Sequence, residues 1–119
     1  MKILVVDDEP AVRLSLLRVL TLSGHEVKEA VDGLAGMALW KQWRPDVVLL
    51  DVLMPGLSGP AVLQEMGGEH HAKVLLMSAY AGDYDLEKVQ AMGADRFLAK
   101  PFQDIFAVAK VVEELGRGK

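Results

Sequence analysis

Cysteine is absent from the 119 residues, which excludes a disulfide framework and a thiolate metal site and fits a reducing compartment. No stretch approaches the roughly 18 consecutive apolar residues that a membrane-spanning helix requires. Met1-Lys2 leads straight into a strand-like segment without the pattern of a secretory leader. The expectation is a soluble, cytoplasmic protein with no membrane partner. Lysine and arginine are scattered rather than grouped, and the net charge is −4. Direct nucleic-acid binding by this chain is therefore not expected, and any such role would need a separate module. His70 and His71 are adjacent and so would point apart on a regular element. With His25 they complete no metal-ligand spacing and read as structural.

What is present is apolar sequence in short pieces. At 119 residues and about half hydrophobic (51%), the chain is long enough for one compact domain spanning residues 1–119 and too short for two. Val, Ile and Leu runs alternate with segments of helical period. "KILVV" (2–6) precedes a helix in which Val12, Leu16, Val19 and Leu20 recur at i, i+3, i+4 spacing, with Pro10 in its first turn and Gly24 as its stop. "HEVKEA" (25–30) alternates like a strand near a sheet edge, and "GLAGMALWKQW" reads as a helix ended by Arg44-Pro45. "DVVLLD" (46–51) and "KVLLMS" (73–78) are short and uniformly apolar, as central strands of a parallel sheet are. "DRFLAK" is followed by a helix with a stripe of Ile105, Val108, Ala109, Val112 and Leu115. Trp40 and Trp43 share a helix face, and packing against the sheet is favoured over a docking patch. Strict β-α alternation predicts a parallel sheet with helices on both faces and right-handed crossovers.

In such sheets ligands collect beyond the carboxyl ends of the strands. Those ends carry Asp7, Asp8 and Glu9 after the first strand, Asp51 after the third, Ser78 after the fourth and Lys100 after the fifth. Two carboxylates about 5 Å apart at an effective dielectric near 20 repel by roughly 3 kcal/mol, a large share of a small domain's stability. A hard divalent cation would relieve this. Mg²⁺ suits the rim better than Ca²⁺, because it takes one or two carboxylates, several waters and a phosphate rather than a full protein cage. Asp51 could then act as a nucleophile toward phosphorus, Ser78 as a donor to a phosphate oxygen and Lys100 as a counter-charge. The product would be an acyl phosphate on Asp51.

The pieces "VVDDEP", "PDVVLLDVLMPGLSG", "VLLMSAY" and "GADRFLAKPF", in this order and at these intervals, make the chain resemble the receiver domains of two-component response regulators over its whole length. The resemblance implies a flavodoxin-like doubly wound sheet of five parallel strands in the order 2-1-3-4-5, with five helices in a three-layer sandwich. It implies that Asp51 is the phosphoacceptor, that Asp8 is a direct Mg²⁺ ligand and Asp7 one acting through water, and that Leu53 gives its carbonyl to the metal. Ser78 and Phe97 would be the switch pair, with Lys100 paired to the phosphoryl group through a cis Lys100-Pro101 peptide. Phosphorylation would draw Ser78 inward and let Phe97 rotate from exposed to buried, changing the surface formed by "DYDLEKVQAM", the strand around Arg96 and the last helix. The implied partners are a histidine kinase or phosphotransfer protein upstream. Downstream would be an output protein, an effector domain or a second copy of the chain. Such a protein is a switch rather than an enzyme, beyond its own phosphorylation and dephosphorylation. Leu53 and Tyr80, two residues beyond Asp51 and Ser78, are bulky and carry no group to orient an attacking water, so slow self-dephosphorylation is expected.

Each residue also has a plainer reading. The three acids could serve the following helix's N-terminus, and Asp51, Ser78 and Lys100 could be ordinary loop residues; their conjunction favours the switch. A flavin carrier of the same architecture would need phosphate-binding donors where "DDEP" offers carboxylates. A haloacid-dehalogenase-type phosphohydrolase would need Asp-x-Asp there. A docking module that works without phosphorylation would not need the acidic set. The sequence stops at "EELGRGK", which is compatible with a single-domain regulator or a receiver cut from a longer chain.

Overall fold

Short apolar strands and capped helices alternate along the chain in the computed structural model, which describes residues 1–68 and 70–118. The order is β1 (Lys2–Val6), α1 (Pro10–Leu22), β2 (Glu26–Ala30), α2 (Gly33–Trp43), β3 (Val47–Asp51), α3 (Gly59–Met66) and β4 (Lys73–Ser78). A single 3-10 turn at Ala81–Asp83, α4 (Leu86–Ala91), β5 (Arg96–Ala99) and α5 (Ile105–Arg117) complete it. The strands pair in parallel in the order β2-β1-β3-β4-β5, the flavodoxin-like arrangement expected from the sequence.

The uniformly apolar strands are explained by where alternate side chains go. Leu4, Val6, Val48, Leu50, Val74 and Leu76 face one core, closed by Trp40, Val62, Leu63 and Val89 from α2, α3 and α4. Ile3, Val5, Val47, Leu49, Leu75 and Met77 face the other, closed by Leu16, Val19 and Leu20 of α1 and Val108, Ala109 and Val112 of α5. A strand buried on both faces has no position left for a polar side chain until it emerges. Each fully buried Leu, Ile or Val contributes about 1.5–3 kcal/mol relative to exposure. β2, at one edge, keeps Glu26, Lys28 and Glu29 exposed, as its alternating sequence predicts.

Helix starts follow from local side-chain chemistry. Asp32, Ser58, Asp85 and Asp104 accept hydrogen bonds from Ala35 N, Ala61 N, Lys88 N and Phe106 N at 2.8, 3.3, 2.8 and 3.0 Å, each cap being worth about 1 kcal/mol. The cap at Asp85 starts α4 at Leu86 and the helix runs to Ala91, so the helix takes the middle of "DYDLEKVQAM" and its first three residues lie before it. Trp40 is buried, whereas Trp43 is half-buried beneath the ammonium groups of Lys2 and Lys28 at 5.7 and 5.0 Å. Both pack against the core. Among the described residues no helix is long and apolar enough to cross a membrane.

Candidate functional site

The parallel register gathers the chemistry-bearing residues. Val6 lies opposite Leu50, Asp51 opposite Met77 and Ser78 opposite Ala99. Asp7, Asp51, Ser78 and Lys100 therefore emerge at the carboxyl ends of four adjacent strands. The backbone continues the pairing into the rim, with Val52 N donating to Met77 O at 2.9 Å and Lys100 N to Ser78 O at 2.8 Å. The loop after Asp51 is fixed by close approach: a Cβ on Gly59 would collide with the Asp51 carbonyl oxygen, and one on Gly33 with that of Leu57.

Asp7, Asp51 and Ser78 are the buried polar residues of the described chain, at 0, 3 and 1% exposure. Carboxylate oxygens of Asp7, Asp8, Glu9 and Asp51 lie within 4.8 Å of one another. Among the described residues one ammonium pairs with three of them. Lys100 Nζ is 2.8 Å from Glu9 Oε1, 3.0 Å from Asp7 Oδ2 and 3.2 Å from Asp51 Oδ1. The Lys100-Pro101 peptide that carries it is cis.

Charge in this cluster is under-compensated. Burial, and next the charge of Asp7, push the Asp51 carboxyl up to about 6 against the pull of Lys100, with Asp8 adding to the upward push. At Lys100 burial opposes the charge, but the hydrogen bonds to Glu9 and Asp7 and the charges of Asp7 and Asp51 outweigh it and hold the ammonium firmly protonated. Four carboxylates against one cation, with hard oxygen donors at this spacing, are a donor set that fits a divalent ion such as Mg²⁺.

Ser78 Oγ accepts a hydrogen bond from Tyr80 N at 2.9 Å, which leaves its proton available for donation elsewhere. With Val52, Leu53, Tyr80, Asp83 and Tyr84 it lines a cavity of about 240 Å³. Leu53 and Tyr80 are 56 and 60% exposed. Phe97 is half-buried rather than exposed, packs on the α2-α3-α4 core and stacks on Tyr84 with ring centroids 5.6 Å apart. Phe97 already covers core side chains that would otherwise meet water, which accounts for its partial burial.

Two contributors were not anticipated from sequence. Tyr84 is one, since nothing in its loop announces a ring partner on β5. Arg13 is the other. Its Nη1 donates to the Asp7 carbonyl oxygen at 2.8 Å and its Nε to Glu29 Oε1 at 2.9 Å. Asp7 is thus held through its backbone by Arg13, while its Oδ1 accepts from Glu9 N at 2.9 Å. A cation in the first turns of a helix opposes the helix dipole, and that mismatch was the available signal.

Residues 3–111 match the response regulator receiver domain family. The chain is 34% identical over 119 residues to the transcriptional activator protein IrlR of Burkholderia pseudomallei, covering 100% of this chain and 52% of that protein. It is 32% identical over 117 residues to the transcriptional regulatory protein AfsQ1 of Streptomyces coelicolor, covering 98% and 52%. The chain spans about half the length of the curated relatives it matches. Among solved structures, the receiver domain of the Francisella response regulator 1452 superposes with a TM-score of 0.89 at 27% identity, covering 99% of this chain and 98% of that one. The signal receiver domain of the putative response regulator NarL from Mycobacterium tuberculosis superposes with 0.83 at 35% identity, covering 99% and 97%.

Proposed function

The chain belongs to the response regulator receiver domain family, and from that premise we propose that residues 1–119 form one receiver unit in which Asp51 accepts a phosphoryl group from a histidine kinase or phosphotransfer protein. Receiver domains are phosphorylation-dependent signalling switches rather than classic enzymes. The observation that carries the assignment to Asp51 is its buried carboxylate, 3.2 Å from Lys100 Nζ and crowded by further carboxylates. An Asp51 oxygen forms the new P–O bond as the P–N bond of a phosphohistidine breaks, and the departing imidazole takes up a proton.

Receiver domains bind Mg²⁺ at an acidic pocket, and here Asp7, Asp8, Asp51 and the Leu53 carbonyl would hold it. When bound it supplies positive charge to the phosphoryl oxygens. Lys100 is placed to pair with one of those oxygens and Ser78 to donate its hydroxyl proton to another. The inward movement of Ser78 opens space toward the cavity beside Tyr84, and Phe97 completes its burial by leaving the Tyr84 stack. The face built from α4, β5 and α5 then changes, and an output protein, an effector domain or a second copy of the chain reads it. Relatives of about twice this length are named as transcriptional regulators, which supports an output in gene regulation through a module other than this one.

Intact-mass measurement with acetyl phosphate and Mg²⁺, sampled cold, tests the reading. A phosphoryl increment on the wild type that Asp51→Asn lacks is expected; an unaltered wild-type mass overturns it.

A further inference from the structure

Glu9 is the N-cap residue of α1, yet its side chain makes no capping hydrogen bond. The N-cap side chains of α2, α3, α4 and α5 all cap their helices. Glu9 turns away from its helix and takes Lys100 instead, at 2.8 Å, the shortest of that ammonium's three ion pairs. The three partners differ in depth. The side chains of Asp7 and Asp51 are 0 and 4% exposed, whereas that of Glu9 is 57% exposed. Lys100 is thus suspended between two buried carboxylates and one at the mouth of the site.

This difference matters once a divalent ion enters, an argument that rests on the Mg²⁺ reading given above. Asp7 and Asp51 would then be engaged by the ion, and the ammonium that shares them would be repelled by its charge. A lysine side chain has four rotatable bonds and a strongly hydrated head, so an ammonium deprived of both partners would swing into water. The carboxylate of Glu9, at the exposed edge of the same cluster and already in contact with Lys100, is the partner that remains to the ammonium when the buried pair is engaged. We propose that Glu9 is a positioning residue that keeps Lys100 beside Asp51 after a divalent cation has taken over the buried carboxylates. Lys100 is then in place when a phosphoryl group arrives, rather than having to be recovered from solvent.

The lysine ammonium signals of protein labelled with ¹⁵N-lysine report this contact, because ammonium protons are observable where ion pairing slows their exchange with water. The Lys100 signal is assigned by its loss in Lys100→Arg. In wild type it is expected to shift and persist as Mg²⁺ is added to saturation. In Glu9→Gln it should be present without Mg²⁺, held by Asp7 and Asp51, and vanish at saturation. Glu9→Asp, one methylene shorter, should behave like Glu9→Gln, and the high exposure of Glu9 makes both variants compatible with folding. A wild-type signal that vanishes on saturation, one that is invisible throughout, or one that persists in Glu9→Gln overturns the assignment of Glu9. Wild-type backbone amides that fail to move with Mg²⁺ overturn the metal site itself, and the inference with it.

Discussion

The two ends of the same sheet handle charge in opposite ways. At the amino end, Asp46 immediately precedes β3 and accepts from Lys2 N at 2.8 Å, and Asp95 immediately precedes β5 and accepts from Val74 N at 2.8 Å. Basic side chains are close by, with His71 3.8 Å from Asp46 and Lys73 4.0 Å from Asp95, and these side chains are about one-third exposed or more. There carboxylates tie a strand to its neighbour and water screens what remains. At the carboxyl end one ammonium is divided among three carboxylates, two of them buried. The sheet could have been finished identically at both ends; among the described residues the buried carboxylates lie at the rim where the family binds its ion.

Removing a cation from each end should break the symmetry most sharply. Lys100→Met leaves Asp7 and Asp51 buried without a counter-charge and should lower unfolding free energy near pH 7 by about 3 kcal/mol. Lys73→Met should change it by less than about 0.5 kcal/mol. Urea denaturation in EDTA measures both, and equal losses would erase the distinction between the ends.

Asp51→Asn should act in the reverse direction. The folded carboxyl titrates near 6 against an ordinary 3.8, so the native state binds this proton more tightly than the unfolded chain. Stability contributed by the group is therefore full at pH values below 3.8, declines as pH rises through 6, and is lost above it. The amide variant should be more stable than wild type by about 2 kcal/mol near pH 7 in the absence of divalent ions, with the gain gone near pH 4. Asp46→Asn, at the other end, should bring no gain.

Kinetics sharpen the contrast further. Leu53→Asn, which places an amide near the phosphoryl position, should accelerate decay of the acyl phosphate roughly ten-fold, about 1.4 kcal/mol in barrier. Unchanged or slower decay would remove Leu53 as a determinant of the decay rate. The smallest effect is expected for Arg13→Met. Loss of the hydrogen bond to the Asp7 carbonyl should cost about 1 kcal/mol of stability and weaken Mg²⁺ binding measurably by calorimetry, while Arg18→Met on the same helix should leave that binding unchanged.

Legibility from sequence followed the range of the forces involved. β1, β3 and β4 were readable because burial on both faces admits only apolar residues, and the rim was readable because each of those strands ends abruptly in Asp7, Asp51 or Ser78. The short α4 was less so, since "DYDLEKVQAM" contains two acids able to cap and only the geometry selects Asp85. The Arg13 anchor, the Glu9-Lys100 pair and the Tyr84-Phe97 stack depend on how far side chains reach between elements distant in sequence, which periodicity does not encode. The partial burial of Phe97 was missed for the same reason.

The division of the interior into two cores bears on how a signal leaves the site. Phe97 belongs with the α2-α3-α4 side, while α1 and most of the buried face of α5 close the opposite side. The sheet acts as a bulkhead between them. On the switch proposed above, a ring that changes seat at Phe97 would press first on the compartment behind α4, with the sheet between it and the helix that begins after Glu9 and carries Arg13. α5, which closes the α1 side and borders the proposed output face, would be the element on which the two compartments meet.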